Sequence, residues 1–224
     1  MVYNVDDIKR DVRITLDQNN NSTTLSALGD IDTLTLEQII ESKIEEAAQI
    51  VEATAPNSLL DNGISFASQP VTWYADTPGY GSGYLVLPSD FLRLQSFKMT
   101  DWDYGVTSVV REGEPLYAQQ YSRFPGIRGN IQRPVVTISN RPQGLVLEFF
   151  SCDGGSDVQI ERAVYIPIPK IVTDAITGNR TIDISSRLRP ATIYYIAYMV
   201  ALTLNDTTFA GSLLDTCKQL MQTT

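Results

Sequence analysis

Asp101 and Asp103 flank Trp102, and carboxylates two residues apart share one side of a strand or tight turn. A carboxylate pair with well-separated proton affinities is what glycoside hydrolysis requires. Nothing in the surrounding sequence separates these two, so a turn carrying solvated acids is the plainer reading. Cys152-Asp153 has neither a histidine nor a second cysteine nearby to activate the thiol, and Cys152 reads as a packed strand residue. The glycine-rich piece PGYGSGY at 78–84 invites comparison with phosphate-binding loops. It lacks the Lys-Ser/Thr pair of a Walker motif, and no helix follows to supply amides. The chain contains no histidine at all. That absence removes histidine-dependent triads, His-ligated zinc and imidazole acid–base chemistry. No catalytic, cofactor-binding or metal-binding residue is assigned, and the expectation is a protein that is not an enzyme.

The 224 residues carry a net charge of −9, distributed unevenly. Residues 1–62 hold 12 acids against 4 bases, and residues 63–224 hold 14 against 13. An acidic surface gains nothing from phosphate neutralisation, so DNA is expected to be repelled rather than bound. The longest apolar run, Ile193–Leu204, is interrupted by three tyrosines and falls well short of the roughly 20 residues of a bilayer span. It reads as core, with no membrane partner. MVYNVDDIKRDVRI at the start alternates charges where an export signal would be apolar. Cys152 and Cys217 fit two packed thiols in a reducing compartment.

The elements follow from periodicity and punctuation. Asn4 caps a helix whose apolar positions Val5, Ile8, Val12 and Leu16 recur at helical spacing, and DQNNNSTT at 17–24 breaks it. A second helix opens at Thr35, with Gln38 completing a capping box and Leu34 placed to staple onto Ile39. It ends near Ala55-Pro56. Its apolar stripe is Leu36, Ile40, Ile44, Ala47 and Val51, and Glu37, Glu41, Glu45 and Glu52 line the opposite side as an exposed acidic face. That face is either plainly solvated or turned toward a lumen or a basic partner.

From about Asp61 the punctuation becomes that of β structure. Strands are expected near Gly83–Leu87, Leu92–Met99, Thr107–Arg111, Val135–Ser139, Leu145–Ser151 and Asp157–Ile166, forming an antiparallel sheet or sandwich. The last two are expected to pair as a hairpin across Cys-Asp-Gly-Gly. Residues 112–134 show almost no periodicity and read as a long projecting loop. Its Arg123, Arg128 and Arg133, with Tyr121 and Phe124, are either solvated or partners for acids on another subunit. Tyr74, Tyr80 and Tyr84 form a second cluster, as packing or as an interface patch.

Finally, Ser185 or Ser186 is expected to cap a helix with Pro190 in its first turn, wholly apolar from Ile193 to Leu204 and so wrapped on every side. Asn205-Asp206 closes it and caps an amphipathic partner with Leu213, Leu214, Cys217, Leu220 and Met221 on one stripe. The fold class is therefore α+β. Both chain ends (1–62 and 181–224) form a helical bundle, and residues 63–180 form an inserted antiparallel β domain with long projecting loops.

This order, with LPSDFLRLQSF at Leu87–Phe97 and the closing pair YYIAYMVALTLND…LLDTCKQLM, resembles the head-to-tail adaptor, or connector, proteins of short-tailed bacteriophages, most closely those of the crAss-like group. Text of the form Leu-Pro-x-Asp-Phe-Leu-Arg-Leu upstream and a tyrosine- and alanine-rich helix downstream is common in that family. The resemblance implies a virion protein assembled in the host cytoplasm as a dodecameric ring. Its partners would be the portal protein, neighbouring copies of itself and the next tail component, with DNA only passing through. The alternative is a receptor- or carbohydrate-binding tail module, with Trp73, Tyr74 and Tyr80 as an exposed aromatic patch. A hydrolase using acidic residues would need a carboxylate pair converging in a cleft.

Overall fold

The computed structural model describes residues 1–16, 35–74, 81–122, 124, 126–152 and 158–222. The chain divides into two compact units: Met1–Asn62 with Ile168–Thr224, and Gly63–Pro167. The architecture mixes helices with antiparallel and mixed sheets, as an α+β chain does. Residues 168–180, placed with the β domain on sequence grounds, belong to the first unit.

In the first unit β1 (Val2–Asn4) leads straight into α1 (Val5–Thr15). The Asn4 side chain accepts the Asp6 N–H at 2.9 Å, satisfying one of the orphan amides of the first turn. Helix α2 (Leu36–Thr54) opens on a complete capping box, Thr35 with Gln38, and stops at Ala55 before Pro56. The staple residue Leu34 lies outside the described residues. Strands β10 (Ile171–Thr173) and β11 (Arg180–Asp183) join β1 in a three-stranded antiparallel sheet ordered β1-β11-β10. Helices α4 (Arg189–Thr203) and α5 (Thr207–Gln222) complete the unit. Val5, Ile8, Ile40, Ile44, Ile182, Ile184, Ile196, Val200 and Leu213 lie in one shared core.

The α4–α5 corner is built by two residues. Asn205 takes a left-handed conformation, φ 61°, and donates to Leu202 O, while the Asp206 N–H reaches Ala201 O at 3.0 Å. That is a Schellman stop with asparagine in the glycine position. Asp206 then caps α5 by accepting the Phe209 N–H. Neither Ser185 nor Ser186 caps α4, whose N-cap is Leu188: the Ser185 hydroxyl and amide go to Asn62 and Glu52, and those of Ser186 go to Asp61. Nor is α4 wrapped on every side, because Leu202 is exposed and Tyr194, Tyr195, Tyr198 and Met199 are only half-buried.

The second unit holds two sheets. One is ordered β2 (Ile64–Ser65), β9 (Ile160–Pro167), β5 (Phe91–Met99). The other is ordered β3 (Thr72–Trp73), β4 (Gly81–Val86), β8 (Gly144–Cys152), β7 (Val136–Arg141), β6 (Val110–Arg111). Phe97 of β5 stacks on Phe149 of β8 at 6.1 Å, joining the two sheets through one core. The hairpin expected between the last two strands does not form: β9 pairs with β5 and β2, in the other sheet from β8. Gly83 is required where it stands, since a Cβ there would meet Thr72 O at 2.8 Å and the Phe149 ring at 2.9 Å.

One strand pair is parallel, β6 with β7. A parallel pair needs a crossover of a dozen or more residues, usually helical. The segment between them supplies it as α3 (Pro115–Gln120), with Pro115 at the helix start where a missing N–H costs nothing. Within the stretch 112–134 expected as a projecting loop, Pro115–Gln120 is therefore helical. Among the described residues no helix is long and apolar enough to cross a membrane.

Candidate functional site

Strand β8 carries one charged residue in an apolar run, Glu148 in LVLEFFSC, and it is fully buried. Alternation sends Leu147 and Phe149 into the core between the sheets, and Glu148 to the opposite face. Register places Tyr84 of β4 beside it on one side and Thr137 of β7 on the other. Ser139 and Arg141 follow Thr137 at two-residue steps on the same face. Glu148 Oε1 accepts from Arg141 Nε at 2.7 Å and Ser139 Oγ at 2.9 Å, and more distantly from the Tyr74 hydroxyl. Its Oε2 accepts from the Tyr121 hydroxyl at 2.7 Å. The Arg141 guanidinium lies over the rings of Tyr84 (4.9 Å) and Tyr74 (5.3 Å).

This arrangement ties Tyr74, just after β3, together with β7 and the end of α3 to β8. Burial and the Glu148 charge hold the Tyr74 phenol protonated, pushing it up to about 12, and burial with the Tyr117 and Glu148 contacts raises Tyr121 further. What the cluster does is fasten the crossover. Tyr121, at the end of α3, sets its ring on Phe150 at 5.0 Å. Buried Gln120 accepts the Gly129 N–H at 2.9 Å, and Ser151 Oγ accepts the Val135 N–H at 3.0 Å.

Above these anchors the crossover exposes apolar side chains. Phe124 is 69% exposed, and Leu116, Tyr121 and Ile127 are each about half exposed. Arg111 and Arg133, near the two ends of this stretch in sequence, are exposed as well. Of the residues singled out in sequence, Phe124, Tyr121 and Arg133 therefore lie at the surface, Arg128 is buried, and Arg123 lies outside the described residues.

Of the acidic stripe of α2, Glu37 is exposed, Glu41 and Glu45 are half-buried and Glu52 is buried, and each has a partner within the unit. Glu37 pairs with Arg13 at 2.8 Å, and Glu41 is shared by Lys9 and Arg180. Glu45 accepts the outward N–H of Ile171 at 2.6 Å, covering part of the free edge of β10. Glu52 is 0% exposed, receiving the Asn62 amide (3.0 Å) and the Ser185 N–H (2.7 Å). The stripe is a seam along which α1, β10, β11 and Ser185, just after β11, are joined to α2.

Of the residues of the expected aromatic patch, Trp73 is 40% exposed and Tyr74 is half-buried. Trp73 sets its ring edge on Phe149 at 5.3 Å, Tyr74 turns to Tyr84 and Glu148, and Tyr80 lies outside the described residues. Trp102 is buried against Phe97, so Asp101 and Asp103 flank a core anchor. Burial raises both thiols, Cys217 to about 11 and Cys152 further, and both are free. Among the described residues no group of three or more Cys, Asp or Glu side chains converges to hold a metal.

The Leu87–Phe97 segment is a packing device. Pro88 O accepts the Phe91 N–H, Asp90 accepts the Tyr165 hydroxyl at 2.9 Å, and Phe91 stacks on the Tyr165 ring at 5.8 Å. No protein-family model and no curated protein matches the chain.

Proposed function

We propose that this chain is a structural virion subunit that assembles as a ring beneath the portal of a short-tailed phage, extending the DNA channel and joining capsid to tail. In this reading the unit made from both chain ends is a helical bundle, and Gly63–Pro167 is a β domain inserted into it that carries the contact surface. The observation that carries the reading is the crossover: a stretch with exposed apolar side chains, anchored through a buried carboxylate, while the acidic stripe of α2 is paired within its own unit. Exposed apolar groups held rigidly on ordered structure are what an assembly interface needs.

Two further features support it. The net charge of −9 suits a lumen through which DNA slides without adhering. The LPSDFLRLQSF text and the closing helix pair, by which the chain resembles the adaptor family, are packing elements here, as a structural role requires. Electron microscopy of the protein mixed with the portal ring tests the proposal. A closed ring stacked coaxially on the portal supports it, and ordered monomers or trimers with no portal binding refute it in favour of a receptor-binding tail module.

A further inference from the structure

Asn62 and Gly63 form the one Asn-Gly pair in the sequence. In such a pair the following backbone nitrogen can close on the asparagine side chain, and glycine, having no Cβ, obstructs that approach least. Packing fixes glycine at position 63: a Cβ there would meet Val164 Cγ1 at 2.6 Å and the Gln95 side-chain amide closer still. Asn62 is only 8% exposed. Its Nδ2 donates to both Glu52 oxygens, at 3.0 and 3.1 Å, and its Oδ1 accepts the Ser185 hydroxyl at 2.8 Å. Glu52 and Ser185 are fully buried, and the Ser185 N–H in turn holds Glu52 Oε1 at 2.7 Å. All three residues of this clasp belong to the first unit.

We propose that Asn62 is a conformation-gated deamidation site, kept intact by Glu52 and Ser185 while their clasp is closed and converted to aspartate or isoaspartate when it opens. In the reaction the Gly63 nitrogen gives up its proton and attacks Asn62 Cγ. The new C–N bond closes a cyclic imide, the Cγ–Nδ2 bond breaks, and Nδ2 leaves as ammonia with that proton. Water then opens the imide at either carbonyl, so the sum is water in and ammonia out, with no oxidation or reduction. The clasp opposes the first step. Attack draws Cγ toward the Gly63 nitrogen and turns it from planar to tetrahedral, which breaks the bonds to Glu52 and Ser185 and leaves a buried carboxylate short of donors. Local openings of a fold have their own free energies, and conversion at Asn62 reads the opening of this one. The product does not fit the clasp again. A carboxylate at position 62 has no N–H to donate and faces Glu52, where Asp183 already adds negative charge. Deamidation therefore fixes the opened state, loosening Ser185, just after β11, from the end of α2.

The experiment incubates the full chain at mildly alkaline pH, folded and in guanidinium, and follows Asn62 by peptide mapping with isoaspartate detection. The folded wild type is expected to convert at least tenfold more slowly than the unfolded chain. Ser185→Ala and Glu52→Gln, each confirmed folded by circular dichroism, are expected to convert several-fold faster than the wild type. Asn205→Val, which strains the α4–α5 corner instead, is expected to convert at the wild-type rate. Folded wild type that converts as fast as the unfolded chain overturns the proposal. So does a folded Ser185→Ala chain that keeps Asn62 as long as the wild type, whether or not Glu52→Gln folds, and so does an Asn205→Val chain that speeds conversion as much as Ser185→Ala.

Discussion

Tyr121 donates its hydroxyl to Glu148 Oε2 across 2.7 Å, so a side chain 52% exposed at the surface is tied to a carboxylate that solvent does not reach. Tyr121→Phe removes one charge-assisted bond and leaves the ring on Phe150. It is expected to cost about 1.5 kcal/mol in denaturant unfolding. Glu148→Ala also leaves Arg141 without its anion and is expected to cost about 3 kcal/mol or more. Hydrogen exchange within residues 115–135 should rise in both.

Glu52 gives a pH dependence of definite sign. Burial raises its pKa, with the Asp183 charge adding, against the opposing bonds from Ser185 and Asn62. The folded state therefore holds this proton more tightly than the unfolded chain does. Its contribution is fully present below the model-peptide value of 4.5 and is lost as pH rises through the folded value. Glu52→Gln is expected to flatten that part of the stability profile, measured by urea unfolding from pH 4 upward. Glu52→Leu leaves Asn62 and the Ser185 N–H without their acceptor and is expected to destabilise by about 3 kcal/mol.

The left-handed Asn205 sets the α4–α5 corner. Asn205→Gly should be close to neutral, whereas Asn205→Val forces a β-branched residue to φ 61° and is expected to cost about 1–2 kcal/mol. Thermal unfolding of the two variants side by side reads the difference.

Tyr74 and Tyr165 are each pushed up to about 12, chiefly by burial, with Glu148 and Asp90 respectively adding. Their stabilising contribution holds below pH 10 and is lost as pH rises through about 12. Spectrophotometric titration should accordingly show a fraction of the tyrosines that ionises only as the protein unfolds in base.

Much of the helical unit was legible because its signals are local. The Thr35–Gln38 capping box, the Ala55-Pro56 stop and the Asn205-Asp206 corner each depend on residues within a few positions of one another. The glutamate stripe of α2 was legible only in part, with Glu37 exposed and Glu52 buried, because periodicity says which residues share a side, not what that side meets. Its partners, Ile171, Arg180 and Ser185, arrive from more than 120 residues away.

The same limit applies to the strands. β8 and β9 are neighbours in sequence, yet β9 pairs with β5, which local adjacency cannot reveal. Two signals at the candidate site were available and went unused. A lone glutamate inside LVLEFFSC marks a buried ion that must find partners. Pro115 followed by Tyr117 and Tyr121 at helical spacing marks the start of a short helix.

The most direct test of the connector reading is the mass added to purified portal rings by an excess of this protein. Twelve chains of 24.8 kDa would add about 300 kDa in a single step, and the Phe124→Ser, Ile127→Ser chain would add far less. Portal rings whose mass does not change at saturating protein would contradict the account.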